Sequence, residues 1–169
     1  LSSSVLLTGS TGWQYGYSVA ACRGTGGIYL AVGAPEHIRT GGTGSARFYK
    51  FDEVSPGNGA LTYIDDKTSA TSQRFGHSID LCQSDIGFVA AVAQAGATST
   101  PLDARVINYD YQDSGPNQGF WTVGITDLED YSYAGTDSTT TYTNIQTTIS
   151  SGSGGFYTAA STDRLSGSG

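Results

Sequence analysis

One phrase is written twice in this chain. "YGYSVAAC" runs from Tyr15 to Cys22, and "FGHSIDLC" runs from Phe75 to Cys82, an offset of 60 residues. Gly16, Ser18, Val19 and Cys22 then meet Gly76, Ser78, Ile79 and Cys82. The register continues: Gly27-Ile28-Tyr29 meets Gly87-Phe88-Val89, and Ala31-Val32 meets Ala91-Val92. After a slip of two residues, "ARFYKFD" (Ala46 to Asp52) meets "ARVINYD" (Ala104 to Asp110), and "ALTYID" (Ala60 to Asp65) falls opposite "FWTVGITD" (Phe120 to Asp127). No other feature constrains the fold as much. A unit that returns with the same internal spacing has to bury its apolar side the same way each time.

Each unit offers four short runs rich in Val, Ile, Tyr, Phe and Thr, separated by Gly, Pro, Asn and Asp clusters. That pattern predicts four strands joined by turns. A third unit is fainter. "SGSGGFYTAAST" (Ser151 to Thr162) aligns with "RGTGGIYLAVGA" (Arg23 to Ala34) at an offset of 128, and "TNIQTTIS" (Thr143 to Ser150) stands where the signature would be. "SSVLLT" (Ser3 to Thr8) reads as a leading strand. No segment carries a helical period with caps. The expected organisation is one repeat domain over residues 1–169: a leading strand in 1–11, unit one in 12–71, unit two in 72–131, and a partial unit three in 132–169. The expected fold class is all-β, with antiparallel four-stranded blade repeats forming part of a propeller-like stack, two full units plus partial units at both ends.

The repeated residues have physical roles in such a stack. A lone four-stranded sheet cannot bury both faces, whereas like sheets placed side by side can. Gly16 and Gly76 are expected to allow close backbone approach. Ser18 and Ser78 are expected to satisfy polar groups where units meet, and Val19, Ile79, Val32 and Val92 to fill the space between sheets. "AVGAP" (Ala31 to Pro35) ends on a proline that is expected to stop its strand. The stretch Asp127 to Tyr142 is polar and Thr-rich and reads as a long loop. Thr139, Thr140, Thr141 and Thr143 are its candidate O-glycosylation positions. No Asn-x-Ser/Thr sequon is present.

Tyr15-Gly16-Tyr17-Ser18-Val19-Ala20, followed by Leu30 to Pro35, resembles the FG-GAP repeat of integrin α-chain propellers and of many microbial surface proteins. Phe75-Gly76-His77-Ser78-Ile79 carries the same resemblance in unit two. It covers about two thirds of the chain, and it implies propeller blades and a role in adhesion. Many FG-GAP members carry an acidic calcium loop between the first two strands. Here the matching loops are Arg23 to Gly27, Gln83 to Gly87 and Ser151 to Gly155, with one carboxylate among them. Calcium takes six to eight oxygen ligands, so the resemblance is to the variant without calcium loops, and no metal or other cofactor is expected.

Closed propellers have four to eight blades, and this chain supplies fewer than three. Open sheet edges invite pairing with another chain. Copies of the chain are therefore expected to associate through those edges, head to tail, because a heterologous contact that does not close makes a filament.

Composition limits the partners. The net charge is −7, only two lysines are present, and the six arginines are scattered without a basic stripe. Phosphate binding needs clustered cations, so no nucleic acid is expected, nor an anionic membrane surface. No apolar run reaches the roughly 20 residues of a membrane helix. Charged residues make up 14% of the chain, against roughly 25% in an average soluble domain. Low Lys with abundant Ser, Thr and Gly reads as extracellular. Leu1 in place of an initiator Met is expected to be a processed or cut end.

Catalytic signatures are missing. There is no Gly-x-Ser-x-Gly elbow and no His-Glu-x-x-His or Cys-x-x-Cys spacing. His77 takes the slot of Tyr17 and reads as packing. His37 lies in a Gly-rich stretch and reads as an exposed turn residue. "GGTGSA" (Gly41 to Ala46) lacks the lysine and helix of a phosphate loop, and "DSGPNQGFW" (Asp113 to Trp121) does not fit the spacing of a sialidase box. Asp65-Asp66 and Asp127-Glu129-Asp130 read as solvated acidic turns. Two states stay open for Cys22 and Cys82: a disulfide between neighbouring units, which needs α-carbons within about 7 Å, or buried free thiols. The expected function is that of a non-enzymatic extracellular structural or adhesion protein, a self-associating surface or fibre subunit touching cell-surface protein or glycan. The alternatives are a viral receptor-binding spike or tail protein, and a glycan-binding or glycosidase propeller fragment.

Overall fold

The computed structural model describes residues 7–9, 12, 14–24, 26–39, 42–55, 58–68, 74–85, 87–95, 105–113, 115, 119, 121–124, 141–152 and 155–165. All regular structure among them is strand. Unit one holds β1 (Ser18–Gly24), β2 (Gly27–Arg39), β3 (Gly42–Ser55) and β4 (Asn58–Thr68). Unit two holds β5 (Arg74–Gln83), β6 (Gly87–Ala95), β7 (Arg105–Gln112) and β8 (Trp121–Gly124). Unit three is the hairpin β9 (Thr141–Gly152) and β10 (Gly155–Leu165).

Within each unit consecutive strands pair antiparallel: β1 to β4 in order, β5 to β8 in order, and β9 with β10. The first two sheets share a single parallel bridge, Gly44 with Phe75. Otherwise they meet face to face. β1 and β2 pack on β5, and β9 packs on β5 and β6. The assembly is an open stack of three antiparallel sheets.

Strand residues point alternately to opposite faces, and β6 shows what the stack demands. Its sequence, "GFVAAVAQA", has almost no polar alternation, and Gly87 through Gln94 are buried. Phe88, Ala90 and Val92 face unit one, in a cluster with Tyr29, Phe48 and Phe75. Val89, Ala91 and Ala93 face unit three, in a cluster with Cys82, Val106 and Ile149. The middle sheet is covered on both sides, so its strand reads as a continuous apolar run. Each large side chain buried this way contributes about 1.5–3 kcal/mol.

Strands cover the expected runs of both full units and of unit three as far as these are described, except that Tyr15 to Tyr17 precede β1; residues 104, 120 and 125–127 lie outside the described residues. Three further expectations differ. β2 does not stop at Pro35 but continues to Arg39, with its pairing to β3 shifting register between Ala34 and Ile38. A proline has no N–H for the ladder, and an irregularity there lets the strand carry on past it. His37 therefore has strand backbone rather than turn backbone. Thr141 and Tyr142, expected in the loop, begin β9. Of the expected leading strand Ser3 to Thr8, only Leu7 and Thr8 are described, and neither is in a strand.

Candidate functional site

The groups that meet between sheets are set by the repeat. In unit one, Ser18, Ala20 and Cys22 point forward, toward unit two. Ala20 and Cys22 pack against the first cluster, and the Ser18 hydroxyl donates to the Gly76 carbonyl at 2.8 Å. In unit two the equivalent Ser78, Asp80 and Cys82 point forward, toward unit three. The Ser78 hydroxyl accepts from the Thr147 N–H at 3.0 Å. Asp80 accepts from the Ile149 N–H at 2.9 Å and from the Thr148 hydroxyl at 2.8 Å. Those N–H groups lie on the strand edge that β10 does not pair, so β5 side chains occupy part of that edge. Ser18 and Ser78 thus serve the junctions as expected.

Close approach is carried by glycine. A Cβ on Gly76 would lie 2.2 Å from the Ser45 carbonyl oxygen, and one on Gly33 would lie 2.0 Å from the Gly76 oxygen. Gly76 also has φ +84°, a backbone that other residues adopt only with strain. Gly16 has the same conformation, φ +89°, yet a Cβ there would meet none of the described residues within 4 Å. The two glycines share a backbone requirement, but among the described residues only Gly76 has a neighbouring sheet behind it.

A polar clasp closes the outer side of the first junction. Asp113 follows β7 and accepts from the Tyr29 hydroxyl at 2.6 Å and from Lys50 Nζ at 2.8 Å. Lys50 also lies 3.3 Å from Asp52. The hydrogen bond to Asp113 is the main cause that raises the Lys50 pKa. Burial, then the Asp113 hydrogen bond, holds the Tyr29 phenol well above its usual range. A cleft of about 400 Å³ opens beside this clasp, lined by Lys50, Tyr63, Asp65, Tyr111, Asp113 and Trp121. Its charges are engaged with one another: Lys67 pairs with Asp65 at 2.7 Å and sits 4.3 Å above the Trp121 ring. The other ring contacts of Trp121 are Phe48, Phe88, Tyr109 and Tyr111. Among the described residues no group of His, Cys, Asp and Glu could hold a metal ion.

His77 is buried and packs on Tyr17, with the Tyr17 hydroxyl 3.0 Å from Nε2 and ring centroids 4.7 Å apart. Two equivalent residues of neighbouring units therefore touch. Asp66 pairs with Arg47 at 3.0 Å, so the Asp65-Asp66 pair is bound into unit one rather than left in a solvated turn. Asp127, Glu129 and Asp130 lie outside the described residues, as do Thr139 and Thr140. Thr141 and Thr143 stand at the start of β9. Asp80, Lys50 and Asp113 carry the junctions without a motif to announce them. The one signal is Asp80 in the slot of Ala20, a charge inside a repeated strand.

The structure holds Cys22 and Cys82 as free thiols. Both point forward, so Cys22 packs against the first cluster while Cys82 lies in the second, on the far side of β5. Burial, with lesser contributions from Cys82 and Asp80, pushes the Cys22 thiol up to about 12. It stays protonated at neutral pH, and only the thiolate is a nucleophile. Alkylation of the folded protein at pH 7.5 is therefore expected to be slow at Cys22, slow also at Cys82 because that side chain is buried, and fast at both after unfolding. The intact mass should not change with reductant.

Each end of the stack exposes some residues whose equivalents the interior buries, although Val32 and Tyr49, on the same backward face of unit one as Val19, are buried. Val19 and Ala21 point backward from unit one, away from unit two. Val19 is 69% exposed, while its equivalent Ile79 is 6% exposed against unit one. Ala21 is exposed, while its equivalents Leu81 and Ile149 are buried. At the other end, Ile149 of β9 points back into the second cluster and pairs with Thr158. The adjacent pair, Ser150 with Tyr157, therefore points forward. Tyr157 is 62% exposed, while its equivalent Tyr29 is 0% exposed against unit two. Compared with known proteins, the chain matches no protein-family model and no curated protein.

Proposed function

We propose that this chain is a non-enzymatic structural or adhesion protein of the extracellular space, part of a propeller-like stack, whose copies associate with one another. The observation that carries this reading is the pair of end faces. Residues whose equivalents are buried between sheets stand open at both ends, Val19 at one and Tyr157 at the other. An exposed apolar patch bordered by polar residues marks an interaction surface. Among the described residues, chemistry-bearing side chains are engaged in structure: His77 with Tyr17, Asp113 with Tyr29 and Lys50, and Asp80 with the backbone of β9. The low-Lys, Ser/Thr/Gly-rich, acidic composition supports the extracellular placement.

Sedimentation velocity over a concentration series tests the association. The weight-average mass is expected to rise with concentration while circular dichroism stays unchanged. A folded chain of constant monomer mass, 17.5 kDa, up to the highest soluble concentration would overturn the reading.

A further inference from the structure

We infer that copies of this chain stack head to tail through their sheet faces, the forward face of unit three seating on the backward face of unit one of the next copy. This rests on the self-association just proposed and names the surfaces that perform it.

The chain itself contains the contact twice. The forward face of unit one covers the backward face of unit two, and the forward face of unit two covers the backward face of unit three. Each equivalent residue keeps its direction from unit to unit. Tyr29 and Val89 point forward into a neighbour, and Tyr157 occupies the same position. Leu81 and Ile149 point backward into a neighbour, and Ala21 occupies the same position. The end faces are thus the two halves of a junction already built within the chain.

Gly16 adds an independent mark. Its counterpart Gly76 needs its missing side chain because Ser45 of the preceding sheet lies against it. Gly16 keeps the same positive φ, and among the described residues nothing lies within 4 Å of a Cβ built on it. Tyr15 shows the same deficit: it is half-buried, where its counterpart Phe75 is fully buried beneath unit one. The occupant is therefore a twisted antiparallel sheet of this repeat, and a second copy supplies one. The contact uses different surfaces at its two ends, so it is heterologous and repeats from copy to copy.

The test is a mixing experiment on the full chain. Val19→Asp places a charge on the backward face, and Tyr157→Asp places one on the forward face. Burying an unpaired charge costs several kcal/mol, so each variant alone is expected to associate about a hundredfold or more weakly than wild type. An equimolar mixture leaves one good forward face and one good backward face. It is expected to form a one-to-one dimer by sedimentation velocity and to grow no further. Both substituted side chains are mostly exposed, so both variants are expected to fold. Ala21→Glu, on the same backward face, replaces Val19→Asp should circular dichroism show that variant misfolded. Variants that associate like wild type, or a mixture that stays monomeric while wild type associates, would overturn the face-to-face contact and leave self-association standing. A monomeric wild type would remove both.

Discussion

Gly76→Ala is expected to cost about 3–5 kcal/mol of folding stability, and Gly16→Ala about 1 kcal/mol, although the two glycines share a place in the repeat. Both have φ near +85 to +90°, so both alanines bear the same conformational cost of about 1 kcal/mol. Among the described residues, only at Gly76 does the new Cβ also run into backbone, 2.2 Å from the Ser45 oxygen and 3.3 Å from the Gly33 Cα. Those atoms belong to unit one and cannot swing aside as a side chain can. At roughly 2–4 °C per kcal/mol for a chain of this size, the expected loss in Tm is about 10 °C at Gly76 and under about 4 °C at Gly16. Thermal unfolding followed by circular dichroism reads both. Equal shifts would mean that the backbones of the first two sheets do not approach as closely as the structure has them.

Tyr29→Ala is expected to cost about 3–5 kcal/mol, and Tyr157→Ala less than about 0.5 kcal/mol. Again the positions are equivalent and the surroundings are not. The Tyr29 ring centroid lies 4.8 Å from that of Phe88 and 6.4 Å from that of Tyr111, and its hydroxyl donates to Asp113 at 2.6 Å. Truncation opens a cavity at the first junction and takes a donor from a largely buried carboxylate. Tyr29→Phe keeps the ring and removes the hydroxyl, so it should cost about 1–2 kcal/mol. Urea midpoints at constant m separate the three. A Tyr157→Ala loss as large as that of Tyr29→Ala would place Tyr157 in the interior and contradict its open position.

The strands, their grouping into units and the stacking of like faces follow from the offset of 60, because alternation along a strand carries a residue's face with its number. Ser18, Ser78, Gly76 and Val92 could be assigned to junctions for that reason. Residues whose partners are not periodic could not. Lys50 finds Asp113 across 63 residues, and its own equivalent is Asn108, so nothing in the repeat predicts the pair. Asp80 replaces Ala20, but its task depends on β9 lying across β5, and the third unit keeps none of the signature that would show this. The two cysteines invite pairing because they are equivalent. Equivalence points both thiols the same way along the stack, with β5 between the environments they enter. Gly16 fails its expected role because close approach belongs to a pair of sheets, and the phrase carries the glycine whether or not a partner is present. The break expected at Pro35 does not occur because a register shift absorbs the missing N–H.

β6 is buried along nearly its whole length, with one cluster on each side. In a chain of nearest-neighbour sheets, the outer members gain their stability from the one between them. Unit two must therefore be in place before unit one or the β9–β10 hairpin has anything to dock on. The hairpin, with two strands and one covered face, is the member that can detach while the rest stays folded. Damage in the centre reaches both termini, and damage at a terminus stays there.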